Sequence, residues 1–171
     1  MHHQLLDLTR WVALTLTINL IHIGRLSILA SLPQFEFVVT DEVVAEILIE
    51  EQAAALRAAI DAGHLARVGF QDTEELTAFA ALASFLGKGE SACLALAQRR
   101  GWWVASDEGG AFRREAEQRL GPGRIVNTPG LLLSAIRAGV LTVEEADQAK
   151  AVLEQHRFRV RFKSFRSLLE I

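Results

Sequence analysis

Short apolar runs recur along the chain, each followed by a segment with helical spacing. This alternation restricts the fold more than any other feature of the sequence. "RWVALTL" is continuously apolar, as a central strand must be. In "INLIHIGRLSILASL", Ile18, Ile21, Leu26 and Leu29 fall near helical spacing, and Pro33 closes the segment. "FEFVVT" predicts a second strand. Thr40 then caps a helix with Asp41 and Glu42 in its first turn, running through "EEQAAALRAAI" to Gly63. "LARVGF" predicts a third strand, and "TEELTAFAALASFL" a helix capped by Thr73. "GKG" breaks that helix before "ESACLALAQRR" begins another. "GWWVAS" predicts the fourth strand and "AFRREAEQRL" the helix after it. Beyond the "GPG" turn, "RIVN" is a fifth strand, and Thr128 caps a helix with Pro129 at its first position. Thr142 to Glu145 matches a capping box that opens the last helix. Strands separated by helices predict an α/β protein: a three-layer α/β/α sandwich on a mostly parallel sheet of about five strands. No linker or internal repeat interrupts residues 1–171, so one domain is expected, with residues 157–171 a basic C-terminal extension packed on it.

Charge and cysteine usage narrow the function classes. A net charge of −3 and a pI near 6 argue against a strongly basic nucleic-acid binder, although local patches matter more than totals. The single cysteine, Cys93, excludes an intramolecular disulfide and fits a reducing, cytoplasmic setting. It lies in a helical run, as a buried structural thiol would. No lysine- or arginine-rich opening precedes the first apolar run, so no secretion signal is expected. Residues 12–23 are too few to span a membrane, and Asn19 and His22 interrupt them. His2 and His3 alone do not define a metal site, and His22, His64 and His156 are scattered without ligand spacing. "GKGES" lacks the spacing of a phosphate loop, and no Gly-x-Ser-x-Gly elbow is present. Trp102 and Trp103 fall in a strand, so one should face the core and its neighbour the opposite face.

Acids gather where such a fold places its chemistry. In an open parallel sheet, sites form beyond the carboxyl ends of the strands. Asp107 and Glu108 follow the fourth strand directly, Glu90 opens the helix after "GKG", and Glu46 lies about one turn into the helix after the second strand. Ligands drawn from separate segments suit a hard cation, and oxygen donors without histidine or cysteine favour Mg²⁺ or Mn²⁺ over zinc. Each acid also has a plain structural role open to it. Glu90 suits a helix N-terminus, Asp107 suits an N-cap, and Glu46 sits among the solvated Asp41, Glu42, Glu50 and Glu51.

In combination these segments resemble the PIN-domain family, from about Val12 to Leu169. "INLIHIGRLSIL" looks like the family's first helix, and "VVTDEVVAEIL" is similar to the segment carrying its second acid, here Glu46. "GKGESACLALA" resembles the signature that carries another, here Glu90. "VASDEGGAFRREA" resembles the strand-end acids, here Asp107 with Glu108 beside it, and "RIVNTPGLLLSAIRAGVLT" the closing strand and helix of a VapC-like subgroup. The resemblance implies a Mg²⁺- or Mn²⁺-dependent nuclease acting on RNA. Glu46, Glu90 and Asp107 would be its catalytic and metal-site carboxylates, with Glu108 as a further metal ligand. It also implies a homodimer and the toxin half of a toxin–antitoxin pair with a protein antitoxin. The family's usual aspartate at the end of the first strand is replaced by Ala13, with Leu14 the next position. The nearest upstream acid, Asp7, would lie roughly 20 Å away along the strand. Thr15 and Thr17 offer only neutral hydroxyls, poor substitutes for a carboxylate and better suited to caps. That departure leaves a second expectation: a PIN-like protein that binds RNA or a protein partner without cleaving.

The tail "HRFRVRFKSFRSLLE" alternates Arg157, Arg159, Arg161 and Lys163 with Phe158, Val160 and Phe162. Period-two alternation predicts a strand with one apolar and one cationic face. Such a strand would run along a phosphate backbone, neutralise the acidic helix of residues 41–51, or keep a sheet edge soluble.

Overall fold

The computed structural model describes residues 10–170, and His2, His3 and Asp7 lie outside them. Five strands form one parallel sheet: β1 (Arg10–Leu14), β2 (Phe35–Thr40), β3 (Ala66–Val68), β4 (Trp103–Ala105) and β5 (Ile125–Val126), in the order β3-β2-β1-β4-β5. Helices connect successive strands, giving the α/β sandwich expected from the alternation. Strand alternation splits the core: Val104 packs into one apolar cluster, with Phe112 and Ala116, and its neighbour Ala105 into the other. Ala13 sits mid-ladder in β1, opposite Val38 and Val104, with no exposed surface.

The helices are shorter than the apolar pattern predicts. The segment after β1 divides into α1 (Thr17–His22) and a 3₁₀ turn (Leu26–Ser31), with Gly24 between them at φ 65°. Gly24 adopts a left-handed conformation that a side chain resists, so the chain turns there although the hydrophobic spacing continues. The helix expected from Thr40 to Gly63 is likewise two, α2 (Asp41–Glu46) and α3 (Glu50–Asp61), because Ile47 and Ile49 are extended. Thr40 does cap α2, accepting the Val43 amide.

The remaining helices are α4 (Thr73–Ala83), α5 (Lys88–Arg100), α6 (Gly110–Leu120), α7 (Thr128–Arg137), α8 (Val143–Gln155) and α9 (Arg166–Leu169). Two caps fall one residue earlier than expected: Asp72 rather than Thr73 opens α4, and Asn127 rather than Thr128 opens α7. In each case the preceding residue carries a side-chain oxygen that reaches the amide three positions on. The capping box of Thr142 and Glu145 forms as expected. Trp102 and Trp103 are both half-buried against apolar neighbours. Trp102 stacks on Trp11, and Trp103 tilts against Phe35.

The tail is not a strand. Residues 157–163 make no ladder, and they leave α8 through Arg157 at φ 66°. The alternation survives in burial alone: Phe158, Val160 and Phe162 are partly buried, while Arg157, Arg159, Arg161 and Lys163 are exposed. The segment is held at both ends. Before it, His156 stacks on His22 with ring centroids 3.7 Å apart. After it, Asp147 accepts from the Ser164 hydroxyl at 2.6 Å and the Phe165 amide at 2.9 Å, and Phe165 is buried.

Candidate active site

The four acids singled out above all belong to segments at the carboxyl edge of the sheet. Asp107 leaves β4 and is fixed by three donors. The Thr128 amide donates to Oδ1 at 2.7 Å, and the Thr128 hydroxyl and the Asn19 amide group donate to Oδ2, the latter at 2.6 Å. Asp107 is therefore not the cap of α6, whose N-cap is Gly109. It ties β4 to the starts of α1 and α7. A carboxylate has about four acceptor positions, so roughly one remains free.

Glu46 ends α2 and reaches α5, where its Oε1 accepts the Gly89 amide at 2.8 Å. This approach needs a glycine, because a Cβ at position 89 would stand 2.5 Å from Glu46 Oε2 and 3.0 Å from a Val43 methyl. Glu90 follows in the first turn of α5. Burial, then the charges of Glu108 and Glu46, hold its carboxyl above the usual carboxylate range, and a hydrogen bond from the Gly87 backbone offsets part of that. Glu90 thus feels the charge of both Glu46 and Glu108. The Glu108 amide donates to the Ser106 hydroxyl, fixing the turn after β4.

Four residues that sequence reasoning did not single out enter here. Asn19 and Thr128 position Asp107, and only their place at helix starts could have signalled it. Glu42, read from sequence as a first-turn acid, has one carboxylate oxygen buried with no hydrogen-bond partner among the described residues. Its charge, with those of Glu46 and Glu90, bears on the buried Cys93 thiol, which desolvation pushes far above its ordinary value. Arg113 on α6 lines a cleft of about 580 Å³ beside Asp107, and Phe158, Arg159 and Arg161 form the facing wall. Arg157 and Lys163 do not line that cleft.

The donor set fits a hard divalent cation in kind: it offers oxygen atoms only, and the charges that bear on Glu90 among the described residues are those of Glu108 and Glu46. As the side chains stand, each acid faces a protein donor or solvent. Among the described residues, no three histidine, cysteine, aspartate or glutamate side chains form a group able to hold one ion together. His22 and His156, read from sequence as scattered, are face to face. Their parallel rings are a packing contact at the base of the tail. No helix among the described residues is long and apolar enough to cross a membrane. Compared with known families, residues 15–171 match a family model described as a PIN domain. No curated protein and no solved structure matches the chain.

Proposed function

Because the chain belongs to the PIN-domain family, we propose that it is a divalent-cation-dependent endoribonuclease, with Glu46, Glu90, Asp107 and Glu108 as its metal-site carboxylates. What carries the reading is the approach of Glu46 to the start of α5, where its carboxylate accepts the Gly89 amide next to Glu90, and burial with the charges of Glu108 and Glu46 raises the Glu90 carboxyl. Bound there, Mg²⁺ or Mn²⁺ supplies Lewis-acid polarisation and countercharge to a phosphodiester. The chain's own residues supply position. Asn19 and Thr128 fix the Asp107 carboxylate, and Gly89 lets Glu46 lie against the start of α5. A second reading, RNA or protein binding without cleavage, is favoured by Ala13, which puts a buried methyl where the family usually has an aspartate.

One assay separates them: single-stranded RNA with Mn²⁺, using the unmodified protein, Glu90→Gln and Ala13→Asp. Cleavage by the unmodified protein that Glu90→Gln abolishes supports the nuclease. Silence from the unmodified protein with activity gained in Ala13→Asp supports the impaired reading, and three silent proteins remove the nuclease reading. The resemblance to VapC-like toxins extends the proposal to a protein antitoxin, cytoplasmic action and a homodimer. The exposed Leu48 and Ile49, beside the helix that carries Glu46, support a self-association surface. A monomeric mass at micromolar concentration would count against the dimer.

A further inference from the structure

The cleft beside Asp107 combines three observations that the carboxylate site does not use. First, its cationic wall is not neutralised internally. Some arginines elsewhere are engaged by the chain's own acids, Arg25 by Glu145, Arg67 by Asp41, Arg100 by Glu75, Arg119 by Glu115 and Arg166 by Glu144, whereas Arg99, Arg114, Arg124 and Arg137 make no ion pair among the described residues. Arg159 and Arg161 make no ion pair among the described residues, although Asp107 lines the same cleft. The Asp107 carboxylate is instead occupied by Asn19 and Thr128. Arg113, across the cleft, pairs among the described residues only with Glu117 on its own helix, and both side chains are half exposed. Such a pair contributes little and yields readily to a stronger anion.

Second, the wall is braced. Phe158 and Phe162 are partly buried against the core while still lining the cleft, and Arg159 and Arg161 between them are exposed. The histidine stack at one end and the Asp147 hydrogen bonds at the other hold the segment between them. A pre-ordered wall loses little freedom when a ligand arrives. Third, the cleft's volume, about 580 Å³, lies within the range of clefts that take small ligands. Phe158 and Phe162 line it with ring surface on which an unpaired base could rest, which suits an unpaired strand better than a duplex.

We infer that this cleft grips the phosphodiester backbone of single-stranded RNA, with Arg113, Arg159 and Arg161 as its phosphate ligands, and leads the strand across Asp107. The inference rests on the ribonuclease reading for the identity of the polyanion. It differs from a general attraction to a basic tail, because Arg157 and Lys163 carry the same charge a residue or two away and take no part.

The test measures binding of a fluorescent single-stranded RNA by anisotropy in EDTA, so that cleavage cannot intervene, over a range of salt concentrations. The Arg159→Ala/Arg161→Ala double variant should lose about tenfold in affinity or more, and Arg113→Ala about threefold. The slope of log affinity against log salt should become shallower by ~0.7 for each phosphate contact removed. Arg157→Ala and Lys163→Ala should each change affinity by less than about twofold, and duplex RNA should compete poorly. Arg159→Lys should recover part of the salt slope, which distinguishes lost charge from a misfolded tail. No binding by the unmodified protein, equal losses at Arg157 or Lys163, or equal affinity for duplex would each overturn the inference. Binding of this pattern without cleavage in Mn²⁺ would support the cleft and remove the nuclease reading alone.

Discussion

At Glu90, position and stability pull in opposite directions. Its carboxyl is raised above its ordinary value, so the folded protein holds that proton more tightly than the unfolded chain does. Stability therefore falls as pH rises from the ordinary carboxylate value through the folded one, and the cost is fully present above it. Glu90→Gln should raise the melting temperature at neutral pH without metal and should blunt any further rise on adding Mn²⁺. A calorimetric scan of both proteins in EDTA and in Mn²⁺ reads both effects. His22 works in the opposite sense. Burial, then the charge of His156, lowers its value from 6.5, so the unfolded chain binds the proton more readily. The contribution is intact above that value and is lost as pH falls below it through the folded one. His156→Phe keeps a stacked ring and removes the like charge, so the drop in melting temperature between about pH 7 and about pH 5 should narrow.

At the scale of elements, the contact between α2 and α5 is the most exposed to a single change. A methyl group at Gly89 would collide with the flexible end of Glu46 and press on Val43. Alanine also favours a helix by roughly 0.5–1 kcal/mol over glycine, so the two effects nearly cancel. Gly89→Ala should keep stability within ~1 kcal/mol in urea unfolding while displacing Glu46 and reducing Mn²⁺-dependent cleavage. Sequence reasoning found the elements better than their ends. "FEFVVT" matches β2 because β-branched and aromatic residues crowd into six positions. The breaks at Gly24 and at Ile47 to Ile49 were hidden, because apolar spacing runs across them and says nothing of backbone angle. The tail shows the same limit. Its alternation forecast which side chains are covered, but a ladder needs a neighbouring backbone, and no strand among the described residues pairs with it.

Over the whole molecule, the segments carrying the acids were legible, and the donors that hold them were not. Asp107 and Glu108 could be placed at the carboxyl edge because they follow a strand, Glu46 because it lies about a turn beyond one, and Glu90 through the family resemblance. That Thr128 would serve Asp107, or that the tail would come round to the same cleft, depends on how α7 and α8 pack, which no local pattern encodes. A long-range tie of another kind joins α4 to the end of α5. Glu75, almost fully buried, accepts from Arg100 and from the Gln71 amide, and Arg100 also reaches the Gly69 carbonyl and lies over Trp102. The hydrogen bonds from Arg100 lower the Glu75 carboxyl below its ordinary value, outweighing burial, which raises it. The pair's contribution is present above that ordinary value and is lost as pH falls through the folded one. Glu75→Ala leaves a guanidinium without its anion and should cost about 3 kcal/mol at neutral pH by urea unfolding, and less in acid.

All five strands point the same way, so the amino ends of the strands lie opposite the candidate carboxylates. Pro33 and Gln34, exposed just before β2, stand at that end, a six-residue strand or roughly 20 Å from the carboxylates. A dye, affinity handle or surface anchor attached at Gln34 would therefore leave the opposite rim open to solution. Single-molecule or immobilised assays could then be built on this chain without disturbing the face they are meant to observe.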